Sequence, residues 1–152
     1  MVEMKEGRQP KEELVLNIRG LKLWYKVYKN YSKVLDGVDI QVHKGEKVGV
    51  VGEAGCGKTS TMKAVLQILP ENQYVIPEGE IFFKGKDILK MNAKELNEVR
   101  TGGISMVYQE PAAALNPVFT IGEQMMDVVR YSEAGRKETP QQQRERGLQA
   151  IR

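Results

Sequence analysis

Residues Gly52-Glu53-Ala54-Gly55-Cys56-Gly57-Lys58-Thr59 constrain this chain more than any other stretch in it. They fit G-x-x-x-x-G-K-[ST] at every fixed position. The run before them, "KVGVVG" (47–52), reads as a short, fully buried strand of the parallel kind. After them, Met62, Val65, Leu66 and Leu69 recur at helical spacing, giving one apolar face that Pro70 closes. A strand that feeds a helix through a turn this tight has room for backbone but not for side chains. Its N–H groups therefore converge on one point, and the positive end of the helix adds to them, so the motif suits a phosphate. In this chemistry Lys58 reaches the outer phosphates and the Thr59 hydroxyl ligates Mg²⁺. Gly52, Gly55, Cys56, Gly57, Lys58, Thr59 and Ser60 make up the binding set. Cys56 serves through its backbone N–H; no histidine stands near enough in sequence to make its thiol a nucleophile.

The bulk numbers narrow the setting. The 152 residues suit one ordinary domain. A net charge of +3, from 23 basic and 20 acidic residues, gives no clustered basic surface of the sort nucleic acid requires. The single cysteine forms no internal disulfide, which points to a reducing compartment. The opening "MVEMKEGRQPKEE" has no apolar stretch of signal-peptide type, and no run approaches the roughly 18 apolar residues of a membrane span. The expectation is a soluble, cytoplasmic protein whose membrane contact comes only through a partner, with no nucleic acid involved.

Periodicity places the remaining elements. Residues 1–13 are charged and aperiodic and read as a tail. Residues 14–25 alternate as a half-buried strand, and 33–42 repeat the pattern before the turn "HKGE". "GEIFFKG" (79–85) reads as a strand, "NAKELNEVR" (92–100) as a helix with an Asn cap, and "ISMVYQ" (104–109) as a second buried strand. Thr120 and Glu123 form a capping box for a helix whose Ile121, Met125, Val128 and Val129 share a face. A last helix opens with Thr139 as cap and Pro140 in first place.

The phosphate loop alone fits several enzyme classes; the later landmarks narrow them. "GGISMVYQEPAAALNPVFTIGEQ" (102–124) is a strand ending in Gln, a Pro-bounded linker and a helix. It resembles the Q-loop region of ATP-binding-cassette (ABC) transporter ATPases, in their oligopeptide, dipeptide and nickel importer branch. "VLDGVDIQVHKGEKVGVVGEAGCGKTS" and "GEIFFKGKDILKMNAKELNEVR" resemble that branch in order and spacing, so the likeness runs from Leu14 to Arg152. The resemblance implies an α/β P-loop NTPase core over 14–110 with an N-terminal antiparallel β-subdomain. It makes 111–152 the Q-loop linker and the start of a helical subdomain. It also implies ATP and Mg²⁺ as cofactors, with Gln109 approaching the metal and the attacking water and joining Lys58 in catalysis. Partners would be transmembrane permease subunits and a second ATP-binding subunit, on the cytoplasmic face of the membrane. An adenine-stacking aromatic is implied in the first strand region. Tyr25 aligns best, Trp24, Tyr28 and Tyr31 are rivals, and plain strand packing is an alternative for each. Glu110 is a linker residue in this reading, and His43 a solvated turn residue.

Some parts of the family pattern have no counterpart here. The sequence holds no LSGGQ-like signature, no apolar strand ending in Asp-Glu, and no switch histidine. The reading is therefore the N-terminal part of an ATPase, incomplete and inactive in hydrolysis alone, with apolar surface left uncovered. The alternatives are a GTPase or small-molecule kinase with the same loop, or a nucleotide-binding module that does not hydrolyse. No Asn-Lys-x-Asp motif supports the GTPase, and no Arg-rich lid supports the kinase.

Overall fold

The protein is described by a computed structural model over residues 13–132 and 137–150. Of the expected tail over 1–13, residues 1–12 lie outside these residues; Glu13 is described, and its carbonyl accepts the Lys44 N–H at 2.9 Å. The chain divides after Met91 into two compact units.

The first unit is built on a long hairpin, β1 (Leu14–Val27) and β2 (Asn30–His43). Its strands are longer than the alternation suggests, because pairing continues to Val27↔Asn30 across a two-residue turn. The apolar residues of β1 change parity midway: Leu16 and Ile18 are even, Leu21 and Leu23 odd. Gly20 makes this possible. It takes a left-handed conformation (φ 53°) and the register slips between Ile18 and Leu21, so the added residue returns both sets to one face. Ile18, Leu21 and Leu23 are then fully buried, each contributing on the order of 1.5–3 kcal/mol relative to exposure.

Three short strands complete an antiparallel sheet. These are β3 (Tyr74–Val75), β4 (Glu80–Phe83) and β5 (Lys86–Asp87), in the order β2-β1-β4-β5, with β3 also on β1. Ile81 and Phe83 of β4 join the core, and a single 3₁₀ turn after β5 adds Ile88. Helix α1 (Lys58–Leu66) buries Ala64, Val65 and Leu66. It ends earlier than the apolar spacing suggests. Gln67 adopts a left-handed conformation, and Gln67 and Ile68 turn their N–H groups back onto Ala64 and Lys63. Leu69 is nonetheless buried beyond the helix end.

The second unit is helical: α2 (Ala93–Gly102), α3 (Ile121–Tyr131) and α4 (Pro140–Ala150). Both capping boxes read from the sequence are formed, Asn92 with Glu95 and Thr120 with Glu123. Thr139 caps α4 likewise, exchanging hydrogen bonds with Gln142. The face of α3 departs from expectation: Val129 is buried, whereas Ile121 and Val128 are exposed. Gly147 of α4 lies against Met126 and Val129, so Met126 takes the inward position that spacing alone assigned to Val128.

Two further expectations fail together. Neither 47–52 nor 104–109 is a strand, and neither is buried. Val51 is 96% exposed and Val107 86%. A buried parallel strand exists only between neighbours that complete its ladder, and no strand among the described residues pairs with either segment. Their apolar side chains are the uncovered surface that the sequence leads one to expect.

Candidate phosphate-binding site

The glycine-rich turn is shaped by what surrounds it. Gly57 caps α1 with φ 93°, and a Cβ there would lie 2.5 Å from Leu35 Cδ2 and 3.1 Å from the Val34 carbonyl oxygen. No L-residue fits that pairing of conformation and space. At Gly52 a Cβ would come within 2.7 Å of Cys56 Sγ, so a side chain there would require the cysteine to move. With glycine as N-cap and no acidic residue in the first turn, the opening N–H groups of α1 have no side-chain acceptor. That is the donor array an anion needs.

Lys58 lies across this turn. Its ammonium donates to the carbonyls of Gly52 and Glu53, both at 2.7 Å, and reaches Cys56 Sγ at 3.4 Å. The lysine thereby holds the two ends of the loop in register. Thr61 donates its hydroxyl to the Gly57 carbonyl at 3.0 Å, and the Cys56 N–H turns back to Glu53. Thr59 is exposed at the helix start and Ser60 half-buried. Among the described residues no group of three or more His, Cys, Asp or Glu could hold a metal ion. The residues present fit a nucleotide with Mg²⁺ nonetheless. The metal is held mainly by phosphate oxygens and water in such sites, with a single hydroxyl such as that of Thr59 from the protein.

The four candidate aromatics separate clearly. Tyr28 sits at the hairpin tip in a left-handed conformation (φ 53°), wholly exposed. Trp24 and Tyr31 form a tilted pair with centroids 6.1 Å apart, and the Lys33 ammonium lies 5.0 Å above the Trp24 ring. Tyr25 alone contacts the phosphate loop: its hydroxyl donates to Ser60 Oγ at 3.3 Å. Nothing in the sequence signals this bond, nor the packing of Val34 and Leu35 on Gly57. Both depend on the register of the hairpin.

The structure thus gathers Tyr25, Gly52, Gly55, Cys56, Gly57, Lys58, Thr59 and Ser60 in the first unit. Gln109 belongs to the second, where it lines an open cavity of about 550 Å³ with Tyr108, Glu110 and Ala114. It ends an exposed segment rather than a buried strand, just before the 3₁₀ turn Pro111–Ala114. His43 differs from expectation. It is the last residue of β2, its side chain only 18% exposed, and Nδ1 lies 3.1 Å from the Glu46 carboxylate.

Comparison with known proteins fits this arrangement. The ABC transporter family pattern matches residues 35–151. A Sinorhizobium fredii protein named "Probable peptide ABC transporter ATP-binding protein y4tR" is 35% identical over 127 residues, 84% of this chain and 38% of that protein. The dipeptide transport ATP-binding protein DppD of Bacillus subtilis is 34% identical over 126 residues, 82% of this chain and 38% of that protein. Among solved structures, a dimeric ATP-binding cassette in a post-hydrolysis state with ADP and Pi superposes with a TM-score of 0.71 at 21% identity. That match covers 88% of this chain and 54% of the other, and it concerns the fold. The chain thus spans well under half the length of the curated relatives it matches. No helix of the described residues is long and apolar enough to cross a membrane. With its fold that of an α/β P-loop cassette and the family pattern running through most of its length, the chain belongs to the ABC transporter family.

Proposed function

We propose that this chain forms the nucleotide-binding portion of the ATP-binding subunit of a peptide-type importer. The observation that carries the proposal is the phosphate loop. A left-handed glycine caps α1, the first N–H groups lack side-chain acceptors, and Lys58 is poised across the turn. In this reading the loop N–H groups and Lys58 take the outer phosphates of ATP, and the Thr59 hydroxyl joins their oxygens around Mg²⁺. Tyr25 faces the purine. Gln109 is the Q-loop glutamine of this reading, with residues 14–110 as the core and 111–152 as the Q-loop linker and the opening of the helical subdomain. The names of the relatives support peptides or dipeptides as cargo. The dimeric neighbour supports pairing with a second ATP-binding subunit. Permease subunits would hold the assembly at the cytoplasmic face of the membrane. The present chain binds nucleotide, and hydrolysis belongs to the assembled cassette.

Calorimetric titration with Mg-ATP and Mg-GTP tests this, with phosphate release followed in the same samples. The expected result is ATP binding with mild preference over GTP, no turnover, and loss of binding in Lys58→Ala. Strong discrimination for GTP would point to a site that reads the guanine edge by hydrogen bonds and would overturn the proposal. Binding that survives Lys58→Ala would remove the loop from it.

A further inference from the structure

The contact between Tyr25 and Ser60 carries a consequence for phosphate recognition. Three hydroxyl residues follow Lys58, namely Thr59, Ser60 and Thr61. The hydroxyl of Thr61 is committed to the Gly57 carbonyl at 3.0 Å, the usual outlet for such a group inside a helix. Ser60 is placed differently. Its oxygen accepts a proton from the half-buried phenol of Tyr25 at 3.3 Å, and its own hydrogen has no acceptor among the described residues.

A serine hydroxyl offers one proton and two lone pairs. With Tyr25 donating into one lone pair, that proton is turned away from β1 and left available as a donor. A hydroxyl that accepts one hydrogen bond is also a stronger donor of the next. We infer that Tyr25 is a positioning residue for phosphate recognition. Its hydroxyl fixes and polarises Ser60 so that the Ser60 proton is directed to an anionic oxygen held at the start of α1. The phenol then does more than offer a ring: it links the first strand to the anion cradle. This rests on the phosphate-loop reading proposed above and gives the tyrosine a second role that phenylalanine could not fill.

The test uses the whole 152-residue chain and two probes, Mg-ATP and inorganic tripolyphosphate with Mg²⁺, the latter having no base to stack. Dissociation constants are measured for the parent, Tyr25→Phe, Ser60→Ala and the double variant. One neutral hydrogen bond corresponds to an affinity change of about fivefold. Tyr25→Phe is therefore expected to weaken both probes by about that factor, Ser60→Ala by no less, and the pair together no more than Ser60→Ala alone. An unchanged affinity for tripolyphosphate in Tyr25→Phe would overturn the inference, whether or not ATP binding falls, because the phenol would then act only on the base. Additive losses in the double variant would overturn it as well. Where Tyr25→Phe unfolds, Ser60→Ala alone decides: an unchanged affinity for tripolyphosphate in that variant would overturn the inference, because the Tyr25 hydroxyl would then have no phosphate donor to position. Failure of the parent chain to bind either probe would instead bring down the phosphate-loop reading, and this inference with it.

Discussion

Replacing Gly57 by alanine separates two costs that are usually confounded. The first is conformational. At φ 93° an L-residue lies in left-handed space, which costs roughly 1–2 kcal/mol. The second is steric. The added Cβ would sit 2.5 Å from Leu35 Cδ2, 3.1 Å from the Val34 carbonyl oxygen and 3.3 Å from Val34 Cγ1. Leu35 is itself buried, so its side chain has little room to retreat. Overpacking of this kind typically costs about 1–3 kcal/mol. The sum is about 2–5 kcal/mol, a large share of the roughly 5–15 kcal/mol that holds a domain together. Gly45→Ala is the control. Gly45 has φ 77° and nothing within 4 Å of its Cβ position, so that change carries the conformational cost alone. Thermal unfolding followed by the fluorescence of Trp24, the single tryptophan and a residue of β1, reports the first unit directly. At roughly 2–4 °C per kcal/mol for a chain this long, Gly57→Ala should lower the midpoint by about 4–20 °C and Gly45→Ala by about 2–8 °C, the first always the larger. Equal shifts in the two variants would refute the claim that β2 packs against the phosphate loop.

Other consequences follow for the second unit. The Glu123 carboxylate accepts hydrogen bonds from the Thr120 N–H and hydroxyl, both at 2.8 Å, and these hold its pKa below the usual glutamate range. A lowered folded-state pKa means that this cap stabilises fully above the unfolded value, near 4.3, and is lost as pH falls through the folded one. An NMR titration of the Glu123 carboxyl should show the depression and its partial return in Thr120→Ala; an ordinary value in the parent would sink the idea. At Gly147 an added Cβ would meet Met126 Sδ at 2.6 Å, but that atom lies near the end of a flexible, unbranched side chain. Gly147→Ala should accordingly stay within about 1 kcal/mol of the parent, the better helix propensity offsetting a shift of the methionine. A loss above about 2 kcal/mol in denaturant unfolding followed by circular dichroism would mean that Met126 cannot move.

What the sequence revealed and what it hid divide along a physical line. Features set by a few adjacent residues were legible. These include the cap of α2 at Asn92 and Glu95, the cap of α3 at Thr120 and Glu123, and the glycine-lysine loop itself. Each depends on side chains within one turn of the backbone they serve. Features that need a distant partner were not legible. The apolar runs at 47–52 and 104–109 carry the composition of buried strands, yet composition supplies no ladder, and among the described residues no strand pairs with them. The inward face of α3 was misassigned for the same reason, since the small Gly147 opposite it decides that Met126 turns in. Among four aromatics close in sequence, only the register of β1 and β2 sends Tyr25 to the loop and leaves Tyr28 at the tip.

The antiparallel hairpin therefore carries more of the site than its place in the motif suggests. A phosphate loop is commonly read as the gift of the strand before it and the helix after it. Here Val50 and Val51, which lead into the loop, are exposed and make no ladder. The fixed points come from elsewhere. Val34 and Leu35 of β2 close on Gly57, Tyr25 of β1 bonds to Ser60, and the Lys58 ammonium ties the start of α1 back to the Gly52 and Glu53 carbonyls. A cradle held from the hairpin side keeps the start of α1 in place without any ladder at Val51 among the described residues. Substitutions in β1 and β2 should accordingly alter phosphate affinity more than substitutions of the same size at Val48 or Val50 in this chain. That ordering inverts the one drawn from the motif alone.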